Sequence, residues 1–201
     1  MDMAIINTYM ESTFSLRRKE IVNEQPLVSV IKERWPCLFL KEQVCAEFRR
    51  ITGVDLKIAF MSSLNKHSNN LIKIYRAKTK DLADEMKLIL DSFDEQDTDE
   101  EEAYVRGVKL CILEVMEDDI STSEKPTCVN RGIIVEGTLV MEDIPDFPTA
   151  FMVLFGLLYA LKISYPKGLK YTFEAVQDIF VGLGEKCTNK VQSLKNKLFK
   201  V

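Results

Sequence analysis

The chain has 201 residues, 27 Lys plus Arg against 31 Asp plus Glu, one histidine and a formal net charge of −4. At 46% hydrophobic, with eight Gly and six Pro, it is neither globally disordered nor collagen-like nor low in complexity. The near-neutral balance gives no global electrostatic case for nucleic acid or an anionic membrane.

The N-terminus carries Asp2 where a signal peptide carries a base, and its apolar run is too short for one. Residues 1–93 read as a helical module of net charge +3. Pro26 suits the first turn of a helix running to Trp35, and Pro36 stops it. Leu40, Val44, Phe48 and Ile51 form a second stripe, ended by Gly53 as a C-cap. Asp55 is placed to cap a third helix carrying Leu56, Ala59, Phe60 and Leu64. The polar run Asn65–Asn70 reads as another helix start, ahead of a stripe through Leu71, Tyr75, Leu82, Met86, Ile89 and Phe93. Residues 94–103 hold seven acids and no base. Such a run repels itself, so it is expected to be an extended acidic linker. It lacks the glycine and alternating ligands of an EF-hand loop.

Residues 104–201 have zero net charge and read as an α+β module. Val108–Met116 alternates as a strand, with Leu110 and Ile112 on one side and Cys111, Leu113 and Val115 on the other. Pro126–Asn130 is turn-like. Ile133–Val135, Glu136-Gly137 and Thr138–Met141 form a hairpin signature. Asp146 and Pro148 open a helix through the uncharged run Phe147–Leu161. That run is fifteen residues long, against the ~20 a membrane span needs, so it is expected to be a core helix. Leu169, Phe173, Val176, Phe180 and Leu183 form the next stripe, ended by Gly182 and Gly184. A basic helix after Thr188 places Val191, Leu194 and Leu198 on one face and Lys190, Lys197 and Lys200 on the other. The expected fold is α+β and predominantly α-helical: a helical module, then about three antiparallel strands covered by three helices.

Chemical motifs are sparse. The five cysteines are odd in number, none closer than eight residues to the next. With no Asn-x-Ser/Thr sequon, they suit reduced thiols in the cytoplasm or nucleus. His67 is the only imidazole and reads as a surface or capping residue. Gly182-Leu183-Gly184-Glu185-Lys186 lacks the spacing of a phosphate loop. Glu117-Asp118-Asp119 and Glu142-Asp143 with Asp146 are carboxylate clusters open to a divalent metal or to plain solvation. No cofactor is implied. Arg17-Arg18-Lys19 and Arg49-Arg50 with Lys57 and Lys66 make the first part mildly basic, and Arg49, Arg50, Lys190, Lys197 and Lys200 are candidate nucleic-acid contacts, with solvated helix faces as the ordinary reading. The face of Val191, Leu194 and Leu198 is a candidate docking surface for a protein partner, with the chain's own fold as the default cover.

Several phrases together carry a resemblance. Glu33-Arg34-Trp35-Pro36 with Leu38-Phe39, then Glu47-Phe48-Arg49-Arg50-Ile51, resembles a segment of fish proteins of the sterile-alpha-motif domain-containing protein 3-like family. So do Asp146–Phe151, Leu154–Leu161, Tyr165-Pro166-Lys167 and Gln192–Leu198. The resemblance runs from about Thr13 onward and implies a non-enzymatic interaction or regulatory module, with no catalytic residues to carry over. The sterile alpha motif itself is not recognised, and the connection around residues 94–103 is shorter than the family's. The chain is therefore expected to correspond to the family's C-terminal region. Nucleic-acid association is the alternative expectation, and a metal-dependent enzyme using the carboxylates the third.

Overall fold

The computed structural model describes residues 2–79, 109–117, 127–184 and 187–199. The expected acidic linker, the stripe from Leu82 to Phe93 and Lys200 lie outside them. The fold is α+β and mostly helical, with one small antiparallel sheet. It divides into two compact units, neither continuous in sequence. The first joins Met1–Lys57 to Ala103–Lys167, and the second joins Ile58–Glu102 to Gly168–Val201.

In the first unit, α1 (Met3–Ser12) and α2 (Phe14–Asn23) are separated by Thr13 alone. Asp2 caps α1 by accepting from the Ala4 N–H at 2.8 Å. At Thr13 the backbone leaves helical geometry (φ −96°, ψ 0°). The Met10 carbonyl there accepts from Arg17 Nη2 at 3.1 Å, a side chain entering the backbone ladder and breaking it. The helical phase survives the break, because Ile6, Met10, Arg17 and Ile21 are all buried at steps of 4, 7 and 4. Pro26 lies just ahead of α3 (Val28–Arg34). Pro36 ends that helix as expected and starts a 3-10 turn, Pro36–Phe39. α4 (Lys41–Thr52) closes on Gly53, whose φ of +76° suits a residue without Cβ.

The sheet runs β1 (Leu110–Glu117), β2 (Thr127–Val135), β3 (Thr138–Met141), each antiparallel to the next. The expected hairpin is present. Glu136 and Gly137 both hold positive φ, 52° and 72°, as a two-residue turn matched to strand twist demands. The expected turn at Pro126–Asn130 needs correction. Thr127–Asn130 is strand, pairing Thr127 with Glu117 and Cys128 with Met116 after a register shift at Val115/Met116. β1 extends to Glu117, and its backbone groups take partners from residues whose composition favours a turn. Nor does burial alternate along β1. Leu110–Ile112 are half-buried and Leu113–Glu117 exposed, so position along the strand outweighs face. In β2, Ile133, Ile134 and Val135 are buried in succession, which means that both sheet faces are covered at that end.

Asp146 opens α6 (Phe147–Ala160), its carboxylate accepting from the Thr149 N–H at 2.7 Å. That bond holds the Asp146 carboxyl below its usual range. The uncharged run is the core helix expected, buried from Met152 to Leu158. It packs closely on α4. A Cβ on Gly156 would stand 2.7 Å from Val44 Cγ1 and 2.9 Å from Leu56 Cδ2. Phe48 meets Phe155 at 5.8 Å and Tyr159 at 4.8 Å between ring centroids. Residues from both sides of the expected linker thus share one core.

The second unit takes most of α5 (Leu56–Thr79), which begins directly after Asp55. Asn65–Asn70 lie inside this continuous helix rather than starting a new one: the polar residues sit among backbone bonds already propagating. A 3-10 turn, Lys167–Leu169, leads into α7 (Lys170–Ala175) and a π turn, Val176–Phe180. The stripe predicted as one regular helix is corrected at both ends. Leu169 is exposed in the 3-10 turn, and Leu183 lies beyond the π turn. The wider turn alters which residues share a face, and Ser63 Oγ donates to the Phe180 carbonyl at its end, 2.9 Å. Gly182, at φ +75°, ends the segment as a helix terminator. α8 (Asn189–Phe199) completes the unit.

Candidate interaction surface

The unusual chemistry of the first unit is a buried charge network. Arg17 and Glu47 are both fully buried and pair through two bonds, Nε to Oε1 at 2.9 Å and Nη2 to Oε2 at 2.6 Å. Arg17 Nη1 also donates to Thr13 Oγ1 at 3.0 Å, and the guanidinium lies 5.6 Å from the Trp35 ring centroid. Glu47 takes a further bond from Arg50 Nη1 at 3.0 Å, and Arg50 Nε reaches Glu11 at 2.6 Å. Glu20 accepts from Trp35 Nε1 at 3.2 Å and pairs with Arg34 at 3.0 Å. Arg18 donates to the Tyr159 and Ala160 carbonyls, each at 3.1 Å, satisfying the end of α6. Burial lowers the Arg18 pKa, against an opposing pull from Glu47. Gln43 is buried with Oε1 unpartnered, its amide donating to Asn7. Four hydrogen bonds fix Arg17, so α1, α2 and α4 are held in one arrangement.

A flank of α1 and α2, about 100° round from the buried face, carries exposed apolar residues. Ile5, Tyr9 and Leu16 are 55%, 67% and 55% exposed. Their steps of 4 and 7 repeat the buried set Ile6, Met10 and Arg17 one residue earlier, so they share one face across Thr13. This face was missed in the sequence. The available signal was a doubled stripe, with apolar residues at 5 and 6, and at 9 and 10, more than one buried face requires.

The residues singled out by sequence fall elsewhere. Val191 and Leu198 are buried against Ala175 and Ile179, and Leu194 packs on the same cluster. The proposed docking face of α8 is therefore filled by the chain itself, the default of an amphipathic helix. Arg17 is no surface base, and Arg50 is engaged by two carboxylates. Arg49, Lys190 and Lys197 are exposed, and Lys190 Nζ sits 4.4 Å from the Tyr171 ring centroid. His67 is not at the surface. It is buried within α5, its ring 4.9 Å from that of Phe199. Burial, then the Lys66 charge, lowers its pKa. Among the described residues no three His, Cys, Asp or Glu gather to hold a metal. Asp146 acts as a helix cap and the Asp143 N–H donates to Asn130 Oδ1. The five cysteines are free. Burial and the nearby Asp55 and Glu42 push the Cys45 thiol up to about 11, far from a reactive thiolate.

An open groove of about 410 Å³ lies where Phe39, Leu40 and Lys41 approach Leu139, Met141 and Asp143. Lys32 Nζ donates to the Leu139 carbonyl at 2.6 Å, covering part of the outer edge of β3. Among the described residues no helix is long and apolar enough to cross a membrane.

These features define an α+β, mostly helical protein whose N-terminal helices are locked by buried charge and carry an apolar outer face. The same segment carries the likeness to known proteins. Residues 1–40 of the 201 match the family model described as sterile alpha motif domain-containing protein 3, helical domain. The similarity to proteins of that kind concerns the helical part and shows no sterile alpha motif. No curated protein and no solved structure matches the chain.

Proposed function

We propose that the chain is a non-enzymatic, intracellular protein-interaction module whose contact surface is the outer face of α1 and α2. One observation carries the reading: Ile5, Tyr9 and Leu16 lie exposed in register on helices whose neighbouring face, one residue on, is immobilised. Single exposed apolar residues are ordinary, whereas an aligned stripe on a rigid helix is the form in which partner helices are recognised. Its place within the matched segment supports the reading, and the free thiols suit a reducing cytoplasm or nucleus.

Proximity labelling in cells tests it, comparing the full chain with the Ile5→Glu/Tyr9→Glu/Leu16→Glu variant. Helix content and melting temperature serve as the folding control. The expected result is loss of specifically labelled proteins by a variant that still folds. An unchanged set of labelled proteins would reject this surface.

A further inference from the structure

We infer that the outer face of α1 and α2 pairs with the same face of a second copy of this chain, the helices antiparallel about a two-fold axis. The inference rests on the interaction reading and names its partner. Asp2 stands at one end of the stripe, and Lys19, exposed and in no ion pair among the described residues, at the other. A two-fold antiparallel pairing must place each residue opposite its mirror in sequence. With the axis between residues 10 and 11, Ile5 meets the partner's Leu16 and Leu16 meets the partner's Ile5. In the same register Tyr9, the largest and most exposed of the three, meets the partner's Ser12, a small residue that leaves room for the ring. Asp2 then meets the partner's Lys19, and Lys19 the partner's Asp2.

One register thus satisfies the apolar contacts, the large-to-small contact and both charge contacts. A parallel pairing would set Asp2 against Asp2 and Lys19 against Lys19, which like charges disfavour. Asp2 to Lys19 spans at most roughly 26 Å, at 1.5 Å per residue, along two helices that meet at Thr13. Such a contact falls below the roughly 1,200 Å² of a standard stable interface, so a weak, concentration-dependent dimer is expected.

Sedimentation equilibrium on the full chain tests the pairing. The wild type is expected to associate reversibly to a dimer. Leu16→Ala removes an apolar contact twice per dimer and should weaken association by about thirtyfold. Lys19→Asp turns two attractive contacts repulsive and should weaken it by about tenfold. Asp2→Lys should do likewise. An equimolar mixture of Lys19→Asp chains and Asp2→Lys chains should dimerise again, because only the mixed pair restores both attractions. A general loss of folding would not be rescued by mixing, and melting temperatures check each chain alone. A monomeric wild type, or a mixture no tighter than either variant alone, would overturn the pairing. If the triple Glu variant nevertheless lost its labelled proteins in cells, the pairing would fall while the interaction reading stood. If its labelling were unchanged as well, both would fall.

Discussion

Two helical regions of this protein bury different mixtures of side chain, apolar alone in α8 and apolar with charged in α1 and α2. α8 follows the usual amphipathic rule, with Val191 and Leu198 inside and Lys190 and Lys197 in water. α1 and α2 in part invert it. Arg17 and Glu20 lie inside beside Glu47 and Gln43 of α4, while Ile5, Tyr9 and Leu16 face water. The difference is one of means. α8 is held mainly by removal of apolar surface from water, which is strong but indifferent to small rotations, with one ion pair beside it, Lys195 Nζ to Asp178 Oδ2 at 2.9 Å. The N-terminal helices are also held by a bidentate ion pair, which is directional and admits little change of angle. Apolar side chains that are not needed inside are then free to point outward.

Removing one side of the buried pair should cost the N-terminal region most. Glu47→Ala leaves the Arg17 guanidinium buried without its carboxylate, and a loss of about 3–5 kcal/mol in denaturant unfolding is expected. Replacing both partners, Arg17→Met with Glu47→Leu, should recover most of that loss. A double variant as unstable as Glu47→Ala alone would show that the network matters beyond the pair. In α8, Leu198→Ala should cost about 3 kcal/mol through the cavity it leaves, and Lys197→Ala less than about 0.5 kcal/mol. Equal effects at the two positions would refute the usual polarity assigned to α8.

A smaller change in stability should follow pH through His67. The folded state holds the His67 imidazole against Phe199 and lowers its pKa, so the unfolded chain binds that proton more readily. Its contribution is whole above the unfolded pKa of about 6.5 and is lost as pH falls through the lowered folded value. The melting temperature should drop between pH 7.5 and 5.5, and His67→Leu should flatten that slope. As the chain has one histidine, an identical slope in the variant would remove His67 as the cause.

Much of the architecture is legible in the order of residues because its signals are local. Gly53 at a helix end, Asp146 with Pro148 at a helix start and Glu136-Gly137 between two apolar runs each report a backbone requirement met within a few residues. His67 is different. Its polar neighbours describe solvent, yet a ring packed against it, that of Phe199, is more than a hundred positions away. The partners of Arg17 are similarly remote: Arg17-Arg18-Lys19 looks like a basic surface until α4 brings Glu47 alongside.

The class of the fold, the hairpin and the helix stops and caps are legible in the chain's own order, because capping, turn geometry and hydrophobic period act over a few residues. So is the apolar face of α8. Packing between distant segments fills this face from within and buries Arg17 rather than leaving it solvated. It alone decided that Ile5, Tyr9 and Leu16 remain outside. The reason is that burial belongs to pairs of surfaces. An amphipathic pattern says which side chains seek cover, and the packing of distant segments decides which of them receive it.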